Sequence, residues 1–262
     1  MLEGKGMTKQ EKLWLTAHAL GGSTSEILSR KNFSDEEEKK IRALLSRREV
    51  GEPLQYIMGQ ADFYGRDFFV GPGVLIPRHD TETLIEAAKK IFPPEKNFSF
   101  LDWGTGSGCI AITLLLEFKN SRGVMLEQSP EALNYAEKNL QRYELEDRAS
   151  LNDSSTKIFD LIISNPPYIP SHEIASLMPE VKNYEPRLAL DGGEDGMNFY
   201  RLILSEARKI LKPEGFIIFE LGDLNQYRAF KNSGGEFLFA GEIFDGGNFP
   251  RAIILRKRHE NF

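Results

Sequence analysis

From Lys9 to about Val50 apolar positions recur every three or four residues, as in "EKLWLTAHAL", and that spacing predicts helices. A second stretch, "SDEEEKKIRALLSRREVG", opens on a Ser34 cap with an acidic first turn and closes at Gly51. Together they predict a small helical N-terminal domain over residues 7–51, with Trp14 and Leu15 in its own core. Over residues 52–80 glycines, aromatics and short alternating runs replace the helical period, which predicts a β-hairpin connector. From Thr81, "TETLIEAAKKIF" reads as a helix halted by Pro93 and Pro94. Apolar runs of strand length then alternate with helical stretches, placing strands at Ser99–Trp103, Val124–Glu127, Ala149–Asn152, Asp160–Ser164, Gly215–Leu221, Glu236–Phe244 and Ala252–Arg256.

That alternation predicts an α/β catalytic domain over residues 81–262, a doubly wound and mostly parallel sheet with right-handed crossovers. The last two strands break the rule, because "DGGNFP" and one further residue are too few for a crossover helix. They should pair antiparallel. A seven-stranded parallel sheet finished in this way resembles the Rossmann-like fold of class I S-adenosylmethionine-dependent methyltransferases.

Composition narrows the chemistry. No apolar run approaches the ~18 residues expected of a membrane span, and "MLEGKGM" has no signal-peptide pattern, so a cytoplasmic protein is expected. Met7 is a candidate start, and residues 1–6 are left out of the fold reading. The single cysteine, Cys109, excludes an internal disulfide, and four scattered histidines show no metal spacing, so no metal cofactor is expected. A net charge of −6 argues against stable binding along nucleic-acid backbones. No oligomerisation signal stands out, and a monomer is the default.

"FLDWGTGSGCIAITLLLEF" sets Gly104, Thr105, Gly106, Ser107 and Gly108 between a strand and an apolar helix, where a tight turn lets a ligand approach main-chain N–H groups. Glu127 follows 19 residues beyond Gly108, at the end of the next strand, where a carboxylate can accept both hydroxyls of a ribose. The spacing is G-x-G-x-G rather than the dinucleotide G-x-G-x-x-G, which favours S-adenosylmethionine, a nucleoside without phosphate, over NAD. Asp102 is assigned to orienting the loop and the ligand's amino group, and Asn152 or Asp153 to the adenine edge. Asp153 fits a solvated turn equally well.

The run "FDLIISNPPYIP" ends a strand on Asn165, Pro166, Pro167 and Tyr168. Two prolines hold the exit extended and donate no N–H, leaving the Asn165 side-chain oxygen and the Pro166 carbonyl as two acceptors aimed at one spot. A planar –NH2 has two donors to match them, and Tyr168 can wall its face. Glutamine amide and the exocyclic amines of adenine, cytosine and guanine all satisfy this pattern. The chemistry read here is methylation of such a nitrogen, giving S-adenosylhomocysteine, without a strong general base.

Six stretches reach further: "GEPLQYIMG", "VLIPRHDTETLIE", "DWGTGSGCIAI", "SNPPYIP", "YEPRLALDGGEDGMNFYR" and "LKPEGFIIFELGDLNQ". Across residues 12–256 the chain resembles the HemK family, the PrmC-type glutamine N(5)-methyltransferases of peptide chain release factors. The resemblance implies a helical N-terminal domain that docks the release factor and a donor-holding catalytic domain that methylates the glutamine of its Gly-Gly-Gln motif. It also implies that Arg78, Thr81 and Glu82 lie between connector and active site, and that Glu185 and Pro186 border the acceptor pocket. For these polar positions a surface ion pair at Arg78, a helix cap at Thr81 and solvated carboxylates at Glu82 and Glu185 are the plain alternatives. His79, Trp103 and Glu127 depart from the family's usual proline, leucine and aspartate. An amino methyltransferase of DNA or RNA, or a glutamine methyltransferase of a ribosomal protein, is the alternative function.

Overall fold

The computed structural model describes residues 7–153, 158–232 and 235–259; the proposed lead at residues 1–6 and part of the segment after the third expected strand lie outside them. Three helices open the chain: α1 (Lys9–Leu20), α2 (Thr24–Ser29) and α3 (Asp35–Glu49). Each starts on a capping box, Thr8 with Glu11, Ser23 with Glu26 and Ser34 with Glu37, so two exposed backbone donors are satisfied reciprocally at every start. Leu15 is fully buried as expected, whereas Trp14, assigned to the same core, is 41% exposed. The connector also differs in part. Residues Leu54–Met58 form a short helix, α4, which Pro53 precedes and Gly59 ends in a left-handed turn. The expected hairpin follows as β1 (Gln60–Phe63) and β2 (Arg66–Phe69), paired antiparallel.

A 3-10 turn at His79–Thr81 leads into α5 (Glu82–Ile91). Then come β3 (Ser99–Trp103), α6 (Cys109–Glu117), β4 (Arg122–Leu126), α7 (Pro130–Arg142), β5 (Ala149–Leu151), β6 (Phe159–Ser164) and α8 (Pro179–Tyr184). The chain continues with α9 (Asn198–Ile210), β7 (Leu211–Glu220), α10 (Leu224–Lys231), β8 (Phe237–Phe244) and β9 (Pro250–Lys257). Their order across the sheet is β5-β4-β3-β6-β7-β9-β8. The pairs from β5 to β7 are parallel and the two involving β9 are antiparallel, as the short last connection requires.

Helices cover both faces of the sheet, which is why the central strands carry continuous apolar runs rather than alternation. One core joins α5, α6 and α7 to one face through Leu84, Ile112, Ala136 and Ile163. The other joins α9 and α10 to the opposite face through Tyr200, Ile203, Phe219 and Phe230. The strand order reverses between β3 and β6, so the carboxyl ends of β3, β4 and β6 open on one crevice.

Candidate active site

That crevice is a cleft of ≈ 1170 Å³ counting its open mouth. The turn after β3 forms one wall, and Leu126, Glu127 and Gln128 after β4 form a second. Ser164, Asn165, Pro166 and Pro167 after β6 close the far side, with Arg78, Thr81 and Phe199 at the edge.

At the β3 end, Asp102 is fully buried. Its Oδ2 accepts from the Thr105 hydroxyl at 2.6 Å and from the Ala111 N–H at 3.2 Å, which fastens the loop to the start of α6. Its Oδ1 has no hydrogen-bond partner among the described residues. Burial pushes the Asp102 carboxyl up to about 7, against the pull of those two bonds. Gly104 and Gly106 line the cleft in left-handed backbone geometry, and a Cβ on Gly104 would meet nothing within 4 Å, so this side stays open to a ligand. Gly108 has another reason to be glycine. It is buried, and a Cβ there would stand 2.7 Å from Met125 Cε, so it serves the packing of α6 on β4.

Glu127 holds the loop from the other side. Its Oε2 accepts from Gly106 N–H at 2.9 Å, and its Oε1 from Gln128 and Ser129 N–H at 2.8 and 2.9 Å. The carboxylate is therefore anchored by main chain in the wall of the cleft. Asn152 braces the same residue: its Oδ1 accepts from Glu127 N–H at 2.8 Å and its Nδ2 donates to Glu127 C=O at 2.9 Å. Neither Asn152 nor Asp153 is among the residues lining the cleft. Asn139, which the sequence did not single out, is fully buried on α7 and bonds Phe69 N–H and C=O as well as Ser107 C=O. It ties hairpin, helix and glycine loop together, and on an amphipathic helix it looks like any polar residue.

At the β6 end, Asn165 Nδ2 donates to Thr81 Oγ1 at 3.1 Å. Its Oδ1 and the Pro166 carbonyl accept no hydrogen bond from the described residues, which leaves both for a ligand. Thr81 makes no side-chain cap for α5; its hydroxyl serves Asn165. Tyr168 is not among the residues lining the cleft. Its ring packs on Gly222, its hydroxyl reaches Glu220 Oε1 at 3.3 Å, and its carbonyl accepts from Gln226 Nε2 at 3.0 Å. Burial lifts the Tyr168 phenol above its usual range, so it stays protonated. Gly192 lies against the Tyr168 backbone, where a Cβ would come within 2.8 Å. Glu220, Gln226 and Gly192 thus hold the exit of β6, and only the folded chain brings them there.

Arg78 and Glu185 form an ion pair, with the Glu185 side chain buried and Arg78 at the edge of the cleft. Glu185 Oε2 also accepts weakly from Ile76 N–H at 3.4 Å. Pro186 lines the cleft beside them. Glu82 faces away, accepting from Tyr64 N–H at 2.9 Å and lying near His79. Ligand atoms of Asp62, His79 and Glu82 fall within 4.8 Å of one another there, a grouping that only the hairpin fold creates. Cys109 lines the cleft, but burial pushes its thiol up to about 12, which leaves no thiolate for chemistry.

Among known proteins, residues 2–59 match the PrmC N-terminal domain and residues 80–181 match the methyltransferase small domain. The release factor glutamine methyltransferase of Geobacter sulfurreducens is 43% identical over 228 residues, 84% of this chain and 79% of that protein. The chain belongs to the release factor glutamine methyltransferase family. The member from Koribacter versatilis is 41% identical, over 73% of this chain and 70% of that protein. A methyltransferase from Pyrococcus furiosus shares the fold at a TM-score of 0.53 and 21% identity, covering 84% of this chain and 98% of that one.

The cleft suits the methyl donor of this family. The unpartnered Asp102 Oδ1, the open side of Gly104 and the anchored Glu127 present a buried acceptor, accessible main chain and a carboxylate along one wall. Apolar Trp103, Leu126, Ile110 and Ala132 line the space between. No helix among the described residues is long and apolar enough to cross a membrane.

Proposed function

We propose that this chain methylates the side-chain amide nitrogen of the glutamine in the Gly-Gly-Gln motif of peptide chain release factors, with S-adenosylmethionine as donor. The observation that carries this reading is the Asn165 amide: Thr81 holds its Nδ2, and its Oδ1, like the carbonyl of Pro166 next in the cleft wall, accepts no hydrogen bond from the described residues. Two acceptors set that way orient a primary amide through both of its hydrogens. They also stabilise the positive charge that builds on nitrogen in the transition state. When bound, S-adenosylmethionine supplies the electrophilic methyl group.

The chain's own contribution is alignment. Asp102 Oδ1 is placed to accept from the donor's amino group, and Glu127 to accept from its ribose hydroxyls while sharing its oxygens with the loop. Leu126, Ile110 and the prolines keep water from the reacting end. The Arg78–Glu185 pair fixes the loop that carries Pro186 at the mouth. The proton leaves nitrogen after transfer, so no base of high pKa is needed. The N-terminal helices serve to dock the release factor; Arg48 on α3 joins them to Glu180 on α8 by an ion pair at 2.6 Å.

The deciding experiment is transfer of labelled methyl from S-adenosylmethionine to a release factor, to the same factor with the Gly-Gly-Gln glutamine changed to alanine, and to bulk DNA and RNA. Label on the intact factor alone is expected. Label on nucleic acid, or on the alanine variant, refutes the acceptor.

A further inference from the structure

The short helix α8 has little of its own to hold it. It spans 6 residues, has no fully buried residue and no side-chain cap at its start, and a helix of that length is not stable alone in water. Yet Pro186, Leu188 and Ala189, which follow it, line the cleft. Whatever places α8 therefore places that part of the wall.

Two contacts with the N-terminal helices do so. Arg48, in the last turn of α3, sits with its side chain 14% exposed between carboxylates from two other elements. Its Nε and Nη2 meet Glu11 Oε1 at 2.9 and 2.7 Å, while Nη1 pairs with Glu180 Oε1 at 2.6 Å and donates to the Glu52 carbonyl at 3.0 Å. Glu11 is itself fixed, because its Oε2 accepts the Thr8 N–H at 2.7 Å in the capping box of α1. A planar guanidinium carries its donors in a rigid fork, so a carboxylate held by α1 on one side aims the remaining N–H groups at α8. At the other end of α8 the Tyr184 hydroxyl donates to the Val50 carbonyl at 3.1 Å, and the Tyr184 ring packs on the cluster of Tyr56, Val70, Val74 and Ile76.

Beyond α8 the chain is tied to the catalytic side. Glu185 pairs with Arg78. Asp191 Oδ1 accepts from the Ser171 hydroxyl at 2.5 Å and from Gly193 N–H at 3.0 Å, and Ile169 N–H donates to the Leu190 carbonyl at 3.0 Å. Ile169 and Ser171 continue directly from the Asn165–Tyr168 exit of β6. The lining residues are thus strung between the N-terminal helices at one end and that exit at the other.

We propose that Arg48 is a positioning residue for methyl transfer: with Tyr184 it clasps α8 to the N-terminal helices, and so sets the cleft wall at Pro186, Leu188 and Ala189. The proposal rests on the amide-methylation reading above and adds to it a path from the docking helices to the reaction site.

The test is backbone hydrogen exchange over residues 180–190 of the donor-free full chain, with kcat and KM for release-factor methylation and donor Kd measured alongside. Two amides there report directly, since Lys182 N–H donates to the Met178 carbonyl at 3.1 Å and Glu185 N–H to the Val181 carbonyl at 2.9 Å. Arg48→Met should speed their exchange on the order of 10-fold. It should also lower kcat by about 3- to 10-fold with donor Kd within about twofold. Glu180→Ala leaves the Arg48–Glu11 pair in place and should speed exchange by about threefold, with a smaller loss of kcat. The double variant should lose no more than Arg48→Met alone. Tyr184→Phe keeps the ring packed and should speed exchange at Glu185, so the clasp is decided even where the Arg48 variant melts early. Unchanged exchange in both Glu180→Ala and Tyr184→Phe overturns the proposal, and so do additive losses at Arg48 and Glu180. A higher KM for the factor with kcat held within about 1.5-fold overturns it too, because Arg48 would then belong to the docking surface alone. A wild type that labels no release factor refutes the reading beneath instead, while exchange still decides whether the clasp holds α8.

Discussion

Changing Asp102 to asparagine should stabilise the donor-free protein at pH 8 while weakening its hold on the donor. The carboxyl is fully buried, and burial raises it to about 7 from the ordinary aspartate value of 3.8. A raised folded pKa means that the native state holds the proton more tightly than the unfolded chain does. Its stabilisation is complete below the unfolded value and is lost as pH rises through about 7. Ionising a group displaced by roughly three units costs on the order of 4 kcal/mol. Asparagine carries no charge and keeps an oxygen for Thr105 and Ala111, but its –NH2 takes the place of the unpartnered Oδ1 and returns ~1–3 kcal/mol of that gain. The net is about 1–3 kcal/mol at pH 8, a rise of several degrees in Tm for a chain of this size. At pH 5 the wild-type carboxyl is mostly protonated when folded, so the advantage shrinks by roughly 2–3 kcal/mol. Glu220, also raised to about 7, is present in both proteins and cancels. Denaturant melts at the two pH values and donor titration by calorimetry are the assays. An advantage of equal size at both pH values, or undiminished donor affinity, would sink the argument.

Three further changes probe other parts of the site. Asn165→Ala should lower kcat about 10²–10³-fold with donor Kd nearly unchanged, since it removes an acceptor that acts on the reacting nitrogen; unaltered turnover counts against its role. Glu127→Ala should raise donor Kd tenfold or more, about 1.5–3 kcal/mol for a charge-assisted hydrogen bond, while kcat at saturation falls less; calorimetry showing the same Kd removes it from the ribose site. Asn139→Ala strands the Phe69 N–H and C=O and the Ser107 C=O, so a loss of roughly 3 kcal/mol or more in urea unfolding is expected. A loss under about 1 kcal/mol would mean that water replaces the side chain.

Those predictions divide by what the sequence could say. All seven strands of the main sheet stand close to where apolar runs placed them, because strands covered on both faces have no polar alternation to blur the signal. The antiparallel finish followed from the length of one loop. Local signals were also enough for the hairpin, for α1 and for α3 with its Ser34 cap, whereas the short α2 and the caps at Thr8 and Ser23 were not read from the sequence. What local pattern could not show was which way a side chain turns. Trp14 sits on a helical apolar period and still faces solvent, and Leu54–Met58, short and glycine-ended, was absorbed into the hairpin reading.

The site divides on the same line, and the division explains where regulation of geometry resides. Glycines 104 and 106, Glu127 and Asn165 lie within a few residues of a strand end, so a single sequence announces them. The groups that orient them come from elsewhere: Thr81 is 84 residues from Asn165, Glu185 is 107 from Arg78, and Asn139 is 70 from Phe69. The resemblance placed Thr81 and Glu185 near the site but not their bonds, and Asn139 was an ordinary polar residue until the fold closed; each is buried or half-buried, where an unmet hydrogen bond is expensive. A motif can thus be intact while its orientation is lost. The contrast to make is therefore between Asn165→Ala, which removes an acceptor, and Thr81→Val, which leaves every acceptor in place but removes the partner that holds the Asn165 amide. If both changes reduce kcat and spare donor binding, catalysis here depends on the group that holds the Asn165 amide as much as on the residues that touch substrate.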